Sequence, residues 1–196
     1  MVSHLYSCDI YIISKMTFCV CTILGHAWIY DIFSMIRNSR GSALTGLFCC
    51  IYATITSNPT LPPLLSLAYV SSIATKLSDT FASEIGKAYG KTTFLITTFQ
   101  KVPAGTEGAI SLEGTMAALV GAAMLPWYGW YIGLVPTIRG VGVATMSAFL
   151  ATFAESWIGA EIQGRKGWEW MTNEVVNFWN TVIGAGLSIL GSKLFL

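Results

Sequence analysis

The stretch LPPLLSLAYVSSIATKLSDTFASEIGKAYGK, residues 61–91, joins an apolar run to a group of acids, glycines and lysines. Residues 64–85 are long enough to cross a bilayer, which takes about 20 predominantly apolar residues. Asp79 and Glu84 lie on this predicted helix, although a carboxylate near hydrocarbon costs free energy unless it has a partner. The stretch therefore predicts a membrane helix whose acidic groups are held by something else in the protein.

The composition of the whole chain agrees with residence in a membrane. Of its 196 residues 54% are hydrophobic and 11% are charged, whereas a soluble domain has about 25% charged residues. Mean hydropathy is +0.61, and a formal net charge of +1 lacks the basic excess expected of a protein that binds nucleic acid. The five cysteines include no CxxC pair and have no histidine pair at zinc spacing, so we interpret them as small apolar residues.

Several stretches are apolar over a length near that of a membrane span. The five candidates are residues 41–56, 64–85, 109–130, 141–160 and 175–196. Residues 10–33 are a weaker sixth candidate, because Lys15, His26 and Asp31 interrupt them. The predicted fold class is all-α, a polytopic membrane helix bundle of about five to six transmembrane helices. We divide the chain into a divergent N-terminal segment, residues 1–40, which includes the sixth candidate span, and a membrane-embedded domain, residues 41–196.

Alternating these spans places most basic residues on one side of the membrane. Seven lie on that side: Arg37, Arg40, Lys87, Lys91, Lys101, Arg165 and Lys166. Two lie on the other: Arg139 and Lys193. This bias follows the positive-inside rule and supports the predicted spans.

An acidic pattern occurs twice, in ATKLSDTFASEIG (residues 74–86) and in ATFAESWIGAEIQG (residues 151–164). Both copies begin with Ala-Thr, place an acid before a hydroxyl residue and an aromatic one, and continue to Glu-Ile. Their four acids are Asp79, Glu84, Glu155 and Glu161. The pattern predicts an internal repeat of helix–loop–helix units that brings up to four carboxylates to one membrane face.

Two interpretations of these carboxylates stay open. A shared Mg²⁺ ion is one, since this ion takes hard oxygen ligands from one or two carboxylates and usually from substrate phosphates. Salt bridges to Lys76, Lys87 or Lys91 are the other. On the first interpretation all four acids are metal-ligand candidates.

The loop KTTFLITTFQKVPAGTEGAISLEGT, residues 91–115, has the composition of an anion site. Glycines leave backbone amides open to close approach, and free amides beside a helix N-terminus bind anions. Ser111 is also a candidate N-cap, with Gly114 at the third position after it. Neither a Walker A loop nor a GxGxxG fingerprint is present. The candidate binding residues are Lys101, Gly105, Thr106, Gly108, Ser111, Glu113, Gly114 and Thr115.

Asn173, Asn177 and Asn180 share one face of the last predicted span. Because amides that face lipid lack hydrogen-bond partners, this face should turn toward the interior of the bundle. The amides could join helices to one another, or they could bind a metal, a phosphate or a base.

Residues 78–115 together with TNEVVNFWNTVIGA, residues 172–185, resemble the phytyl-phosphate kinase family of plants and cyanobacteria, which includes an animal multi-pass transmembrane protein. The resemblance extends over residues 64–196, about two-thirds of the chain. A more distant pattern, D-x-x-A-x-x-x-G-K-x-x-G-K followed by EGT, is similar to dolichol kinases and CDP-diacylglycerol synthases. It lies on Asp79, Ala82, Gly86, Lys87, Gly90, Lys91 and residues 113–115.

The resemblance implies an integral membrane kinase that transfers a phosphoryl group from a nucleoside triphosphate to an isoprenoid monophosphate. In the family this reaction converts phytyl phosphate to phytyl diphosphate for tocopherol synthesis from recycled phytol. The distant relatives use CTP and Mg²⁺, so CTP is the first choice of donor. Asp79 and Glu84 would hold Mg²⁺, and Glu155 and Glu161 would complete or flank the site. Lys87, Lys91 and Lys101 would neutralise phosphate charge, and the residue 105–108 amides would cradle a phosphate group.

The family also implies a chloroplast membrane as the location. Residues 1–33 differ from a transit peptide, since they carry Asp9 and Asp31 where such a peptide is rich in Ser and Arg and poor in acids. Two other functions stay open. An ion-coupled transporter would also use intramembrane acids and a repeat, although the acids are predicted near span ends and the two units run in the same direction. A cytidylyltransferase acting on a lipid phosphate would attack a different phosphorus in the same site.

Overall fold

Helices make up most of the computed structural model, which describes residues 44–49, 51–53, 55–56, 61–163 and 165–195. The chain divides into two compact units, residues 1–40 and 41–196, and every described residue belongs to the second. The elements in chain order are α1 (Leu44–Ala53), α2 (Leu61–Tyr89), β1 (Thr93–Leu95), β2 (Ala109–Ser111), α3 (Leu112–Tyr131), α4 (Ile138–Glu161) and α5 (Asn173–Phe195). The candidate span 10–33, the basic residues Arg37 and Arg40, and four of the cysteines lie outside the described residues.

Local capping signals explain where α3 and α4 begin. Ser111 accepts a hydrogen bond from the Gly114 amide at 3.1 Å, which confirms the predicted N-cap. Thr137 accepts one from the Gly140 amide at 3.0 Å in the same way. Each hydroxyl satisfies one of the amides that a helix start leaves without a partner.

The described residues are mostly helical, as predicted, and a short two-stranded hairpin interrupts the helices. Strands β1 and β2 pair antiparallel, with Thr93 opposite Ser111 and Leu95 opposite Ala109. Residues 109–111 were predicted to open the third span, but the structure gives them to β2. Strands of three residues are too short for an alternating pattern to separate them from the adjoining apolar run.

Helix α2 is the centre of the bundle, because it packs against α3, α4 and α5. A Cβ atom added at Gly121 of α3 would lie 3.1 Å from the Leu77 carbonyl oxygen and 3.2 Å from the Ser78 Cα of α2. One added at Gly114 would lie 2.8 Å from the Ala82 carbonyl oxygen. Small residues that let helix backbones approach this closely are typical of helix packing in membranes.

One end of the bundle collects the hairpin, the C-terminal ends of α2 and α4, and the N-terminal ends of α3 and α5. We call it the hairpin end. Gly90, after α2, approaches Ser111, and Gly108 of the hairpin packs against Ala160 near the end of α4. The exposed basic residues Lys87, Lys91, Lys101, Arg165 and Lys166 lie at this end, and Arg139 and Lys193 lie at the other, so the described residues keep the predicted bias.

Among the described helices, α4 and α5 are long and apolar enough to cross a membrane. Helix α2 is longer, with 29 residues, but its buried face carries hydroxyl groups and it contains Lys76, Asp79, Glu84 and Lys87. These polar side chains lower its mean hydropathy even where they face protein. The number of membrane spans and the internal repeat stay predictions.

Substitution of Gly108 tests whether the hairpin is held against α4. Its φ is +73°, and an added Cβ atom would overlap the Ala160 Cβ and lie 2.6 Å from the Ser156 carbonyl oxygen. We expect Gly108→Ala to lower the midpoint of thermal unfolding in detergent, measured by tryptophan fluorescence, because strain and a backbone clash add. Gly105→Ala is the matched control, since Gly105 has a φ of +90° and open space around it, so only strain of about 1–2 kcal/mol applies. Equal shifts in the two variants would contradict the packing role of Gly108.

Candidate active site

Five polar side chains from three helices meet inside the bundle, and we call them the buried polar cluster. They are Lys76 and Asp79 of α2, Glu155 of α4, and Asn177 and Asn180 of α5. The Lys76 ammonium group donates to Asp79 Oδ2 at 2.9 Å and to Asn177 Oδ1. Asn180 Nδ2 donates to Glu155 Oε2, and the carboxyl groups of Asp79 and Glu155 lie close enough to interact electrostatically.

Helical spacing accounts for this convergence. Lys76 and Asp79 are three residues apart on α2, and Asn177 and Asn180 are three residues apart on α5, so each pair projects from one face. Asn177 and Asn180 are 2% and 0% exposed, which confirms that the asparagine face turns inward at these two positions. The Lys76 and Asp79 side chains keep 17% and 22% exposure, so the cluster is reachable from outside the protein.

A layer of hydroxyl groups holds the helices together around the cluster. Thr152 of α4 donates to Ser78 Oγ of α2 at 2.9 Å, and Ser78 donates to the Ala118 carbonyl oxygen of α3 at 3.0 Å. Ser71 of α2 donates to the Gly184 carbonyl oxygen of α5 at 3.0 Å. These bonds satisfy buried polar groups and fix the rotation of α2, α4 and α5, which determines where the charged groups point.

The cluster lacks one positive charge. With both acids ionised, Asp79 and Glu155 carry two negative charges and Lys76 supplies one positive charge. Asn180 Oδ1 is buried and has no hydrogen-bond partner among the described residues. With Glu155 ionised, the amide presents Nδ2 to that carboxylate, because Oδ1 cannot donate. A hydrogen-bond donor or a hard cation would satisfy Oδ1, and a cation would also supply the missing positive charge.

The second acids of the two sequence copies lie apart from this cluster. Glu84 is exposed, and the Glu161 side chain accepts from Arg165 at 2.5 Å while 32% exposed. Among the residues that the structure describes, no group of three or more His, Cys, Asp or Glu side chains could hold a metal ion. The structure therefore joins Asp79 to Glu155 but does not join all four predicted metal ligands.

The glycine-rich loop is mainly a packing and turn element. Gly114 is buried against α2, and Ser111 serves as the N-cap. Thr106 donates to the Pro103 carbonyl oxygen at 2.8 Å. In the predicted phosphate-binding segment, residues 105–108, Gly105 is open, with no atom within 4 Å of where a Cβ would be. Glu113 and Thr115 are half-buried at the start of α3.

Exposed groups surround the same end of the bundle. Lys87, Lys91 and Lys101 are exposed, as is Asn173, which begins α5 outside the cluster. Between α4 and α5 the rings of Trp168 and Trp170 lie 5.5 Å apart. In the same loop the Gly167 amide donates to Glu169 at 3.0 Å, and this hydrogen bond lowers the pKa of the Glu169 carboxyl.

The cluster lies inside the bundle, back from the ends of the helices. Asp79 is ten residues before the end of α2 and Glu155 six before the end of α4, or about 15 Å and 9 Å at 1.5 Å per residue. The sequence argued against a transporter because the acids were predicted near span ends. The distance of the cluster from the helix ends weakens that argument. The salt bridge from Lys76 to Asp79 at 2.9 Å confirms, at this pair, the alternative in which a lysine partners the acids, although the sequence did not place Lys76 among the site residues.

Comparisons with known proteins identify relatives. The model of a family described as integral membrane protein DUF92 matches residues 35–185. The chain is 50% identical over 153 residues, 78% of its length, to an uncharacterized membrane protein of Synechocystis sp.. It is 42% identical over 161 residues, 82% of its length, to protein VTE6, chloroplastic, of Arabidopsis thaliana. These matches confirm the family resemblance predicted from the sequence.

A third relative is a membrane protein of Methanocaldococcus jannaschii, 38% identical over 124 residues or 63% of this chain. The matches span 58%, 48% and 50% of the three relatives, so the chain spans about half the length of the curated relatives it matches. No solved structure matches the chain.

Proposed function

The chain belongs to the DUF92 family of integral membrane proteins, and from this we propose that it is a membrane-embedded phosphotransferase. It would transfer a phosphoryl group from a nucleoside triphosphate to an isoprenoid monophosphate. The observation that carries the proposal is the convergence of Lys76, Asp79 and Glu155 inside the bundle, below an end rich in exposed lysines. Phosphoryl transfer needs positioning and charge neutralisation more than covalent chemistry, and this arrangement offers both.

The acceptor and location are proposed from the relatives. Similarity to a chloroplastic protein of Arabidopsis thaliana and the sequence resemblance to phytyl-phosphate kinases support phytyl phosphate as acceptor and phytyl diphosphate as product. This would place the chain in a chloroplast membrane and in tocopherol synthesis. CTP is the proposed donor, on the strength of the distant resemblance to CTP-using enzymes.

The residues of the cluster fit a magnesium ion. Asp79 and Glu155 would hold it, with Asn180 Oδ1 as a third oxygen ligand, because that oxygen has no partner among the described residues. Bound there, Mg²⁺ would neutralise charge on the phosphate groups. Glu84 and Glu161 are left out of this revised ligand set because one is exposed and the other pairs with Arg165.

The remaining groups would bind the two anionic substrates. Lys87, Lys91 and Lys101 are exposed at the hairpin end, where they would neutralise nucleotide and lipid phosphates. The open backbone at Gly105 is the part of the loop still available to a phosphate group. The attacking atom is a phosphate oxygen, ionised at neutral pH, so the reaction requires no strong general base. The isoprenoid chain would lie along the apolar faces of the helices, in contact with membrane lipids.

Labelled nucleotide distinguishes this proposal from its alternatives. The purified protein in detergent is supplied with phytyl phosphate, Mg²⁺ and CTP labelled at either the γ or the α phosphorus. We expect γ label in phytyl diphosphate and no α label in lipid. Lipid that carries α label would establish cytidylyl transfer instead. No transfer with CTP, ATP, GTP or UTP would contradict the proposal.

Ion-coupled transport is the second candidate, and the position of the charged cluster inside the bundle, away from the helix ends, favours it. Buried charges within membrane helices often mark ion or proton pathways. Protein reconstituted in liposomes and given an ion gradient would then move solute, which a kinase would not do. Solute flux without γ-phosphate transfer would replace the kinase proposal.

A further inference from the structure

Lys76 is the counter-ion of two carboxyl groups that would otherwise repel each other, those of Asp79 on α2 and Glu155 on α4. Its ammonium group binds Asp79 and Asn177, and it also lies close enough to Glu155 to attract that carboxyl. An ammonium group is a compact point charge with three donors and no acceptor. It can therefore stand where a metal ion would stand, holding the oxygens of α2 and α5 together.

The charge around Lys76 nevertheless calls for another cation when both acids are ionised. Two nearby carboxylates repel, so they favour either a shared proton or a bound cation, and Lys76 supplies one positive charge for the two. The fully buried Asn180 contributes a carbonyl oxygen without a partner among the described residues. With Nδ2 on Glu155, a shared proton would leave this oxygen unsatisfied, whereas a cation within its reach would satisfy it.

We propose that Lys76 is the resident counter-ion of a divalent-cation site formed by Asp79, Glu155 and Asn180, and that the cation and the Lys76 ammonium group compete for Asp79. The inference rests on the proposed function for the choice of a divalent ion. When the cation binds, the displaced ammonium group needs another anion, and a phosphate group bound to the same cation supplies it. Cation and nucleotide therefore bind cooperatively, and without nucleotide the cation binds weakly.

Binding of Mn²⁺ in the absence of nucleotide and lipid tests the competition. The free Mn²⁺ signal in electron paramagnetic resonance gives the dissociation constant for the purified full chain in detergent. We expect Lys76→Gln to bind Mn²⁺ about tenfold more tightly than the unmodified protein, because a nearby unit positive charge has been removed. Adding Asp79→Asn to Lys76→Gln should abolish the gain.

Lys193→Gln is the matched control, because it removes one exposed lysine at the other end of the bundle. Its Mn²⁺ affinity should equal that of the unmodified protein. Equal tightening in Lys193→Gln, or no tightening in Lys76→Gln, would overturn the inference. The kinase assay plays no part in these readings, so failure of the proposed function and failure of this inference are distinguishable.

A measurement on the unmodified protein covers the case in which Lys76→Gln does not fold. Reductive methylation followed by mass spectrometry reports how accessible each lysine amine is. We expect saturating Mg²⁺ to raise the methylation rate of Lys76 several-fold and to leave that of Lys193 unchanged. An unchanged rate at Lys76 would show that the ammonium group is not displaced, which overturns the competition.

Discussion

Asp79→Asn is expected to abolish phosphoryl transfer while the protein still inserts and folds. The amide side chain of this variant would keep an oxygen that accepts from Lys76, so Lys76 would stay in place to bind Asn177 of α5. It would lose the negative charge that holds a cation. Loss of an outer-shell partner of a metal costs about 10–100-fold, so loss of a direct ligand should lower kcat/KM by at least about a hundredfold. Transfer of γ label from CTP to phytyl phosphate is the measurement.

Glu84→Gln is the matched control for this variant. It neutralises an acid on the same helix, five residues further along, that is exposed and outside the cluster. Membrane extraction, elution from size-exclusion chromatography and the thermal unfolding midpoint show whether each variant is folded. Full activity in Asp79→Asn would remove this carboxylate from the mechanism.

The second large effect is expected from Glu155→Gln, compared with Glu161→Gln. Glu155 lies in the buried polar cluster, where it accepts from Asn180, so its neutralisation should also lower kcat/KM by at least about a hundredfold. Glu161 is bound to Arg165 at the surface, and an ion pair of this kind contributes about 0–1 kcal/mol. Glu161→Gln should keep activity within a few-fold.

These two variants distinguish the site seen in the structure from the four-carboxylate site predicted from the sequence repeat. The repeat aligns Glu155 and Glu161 with Asp79 and Glu84, and a metal site formed by all four carboxylates would give losses at both glutamates. The structure gives the first acid of each copy to the cluster and the second to the surface. Similar losses in Glu155→Gln and Glu161→Gln would restore the four-carboxylate site predicted from the sequence.

Much of the helical framework follows from local sequence. Residues 64–85, 141–160 and 175–196 were predicted as spans, and the structure has helices at 61–89, 138–161 and 173–195. Apolar length and the Ser111 cap are properties of neighbouring residues, so they act before any tertiary contact forms. The hairpin was missed because two strands of three residues pair across a loop of thirteen.

Residue order alone was enough to establish the family, the helices of the bundle and the side on which the basic residues collect. Which polar groups meet depends on how the helices pack. Asp79 and Glu84 are five residues apart on one helix, so they face different directions, and packing of α2 against α4 and α5 turns Asp79 inward. The same packing brings Lys76 to Asn177, 101 residues away in the chain. Hydropathy depends on residues nearby in sequence, whereas helix rotation and register depend on close contacts between helices, such as that of α5 with α2 at Gly184.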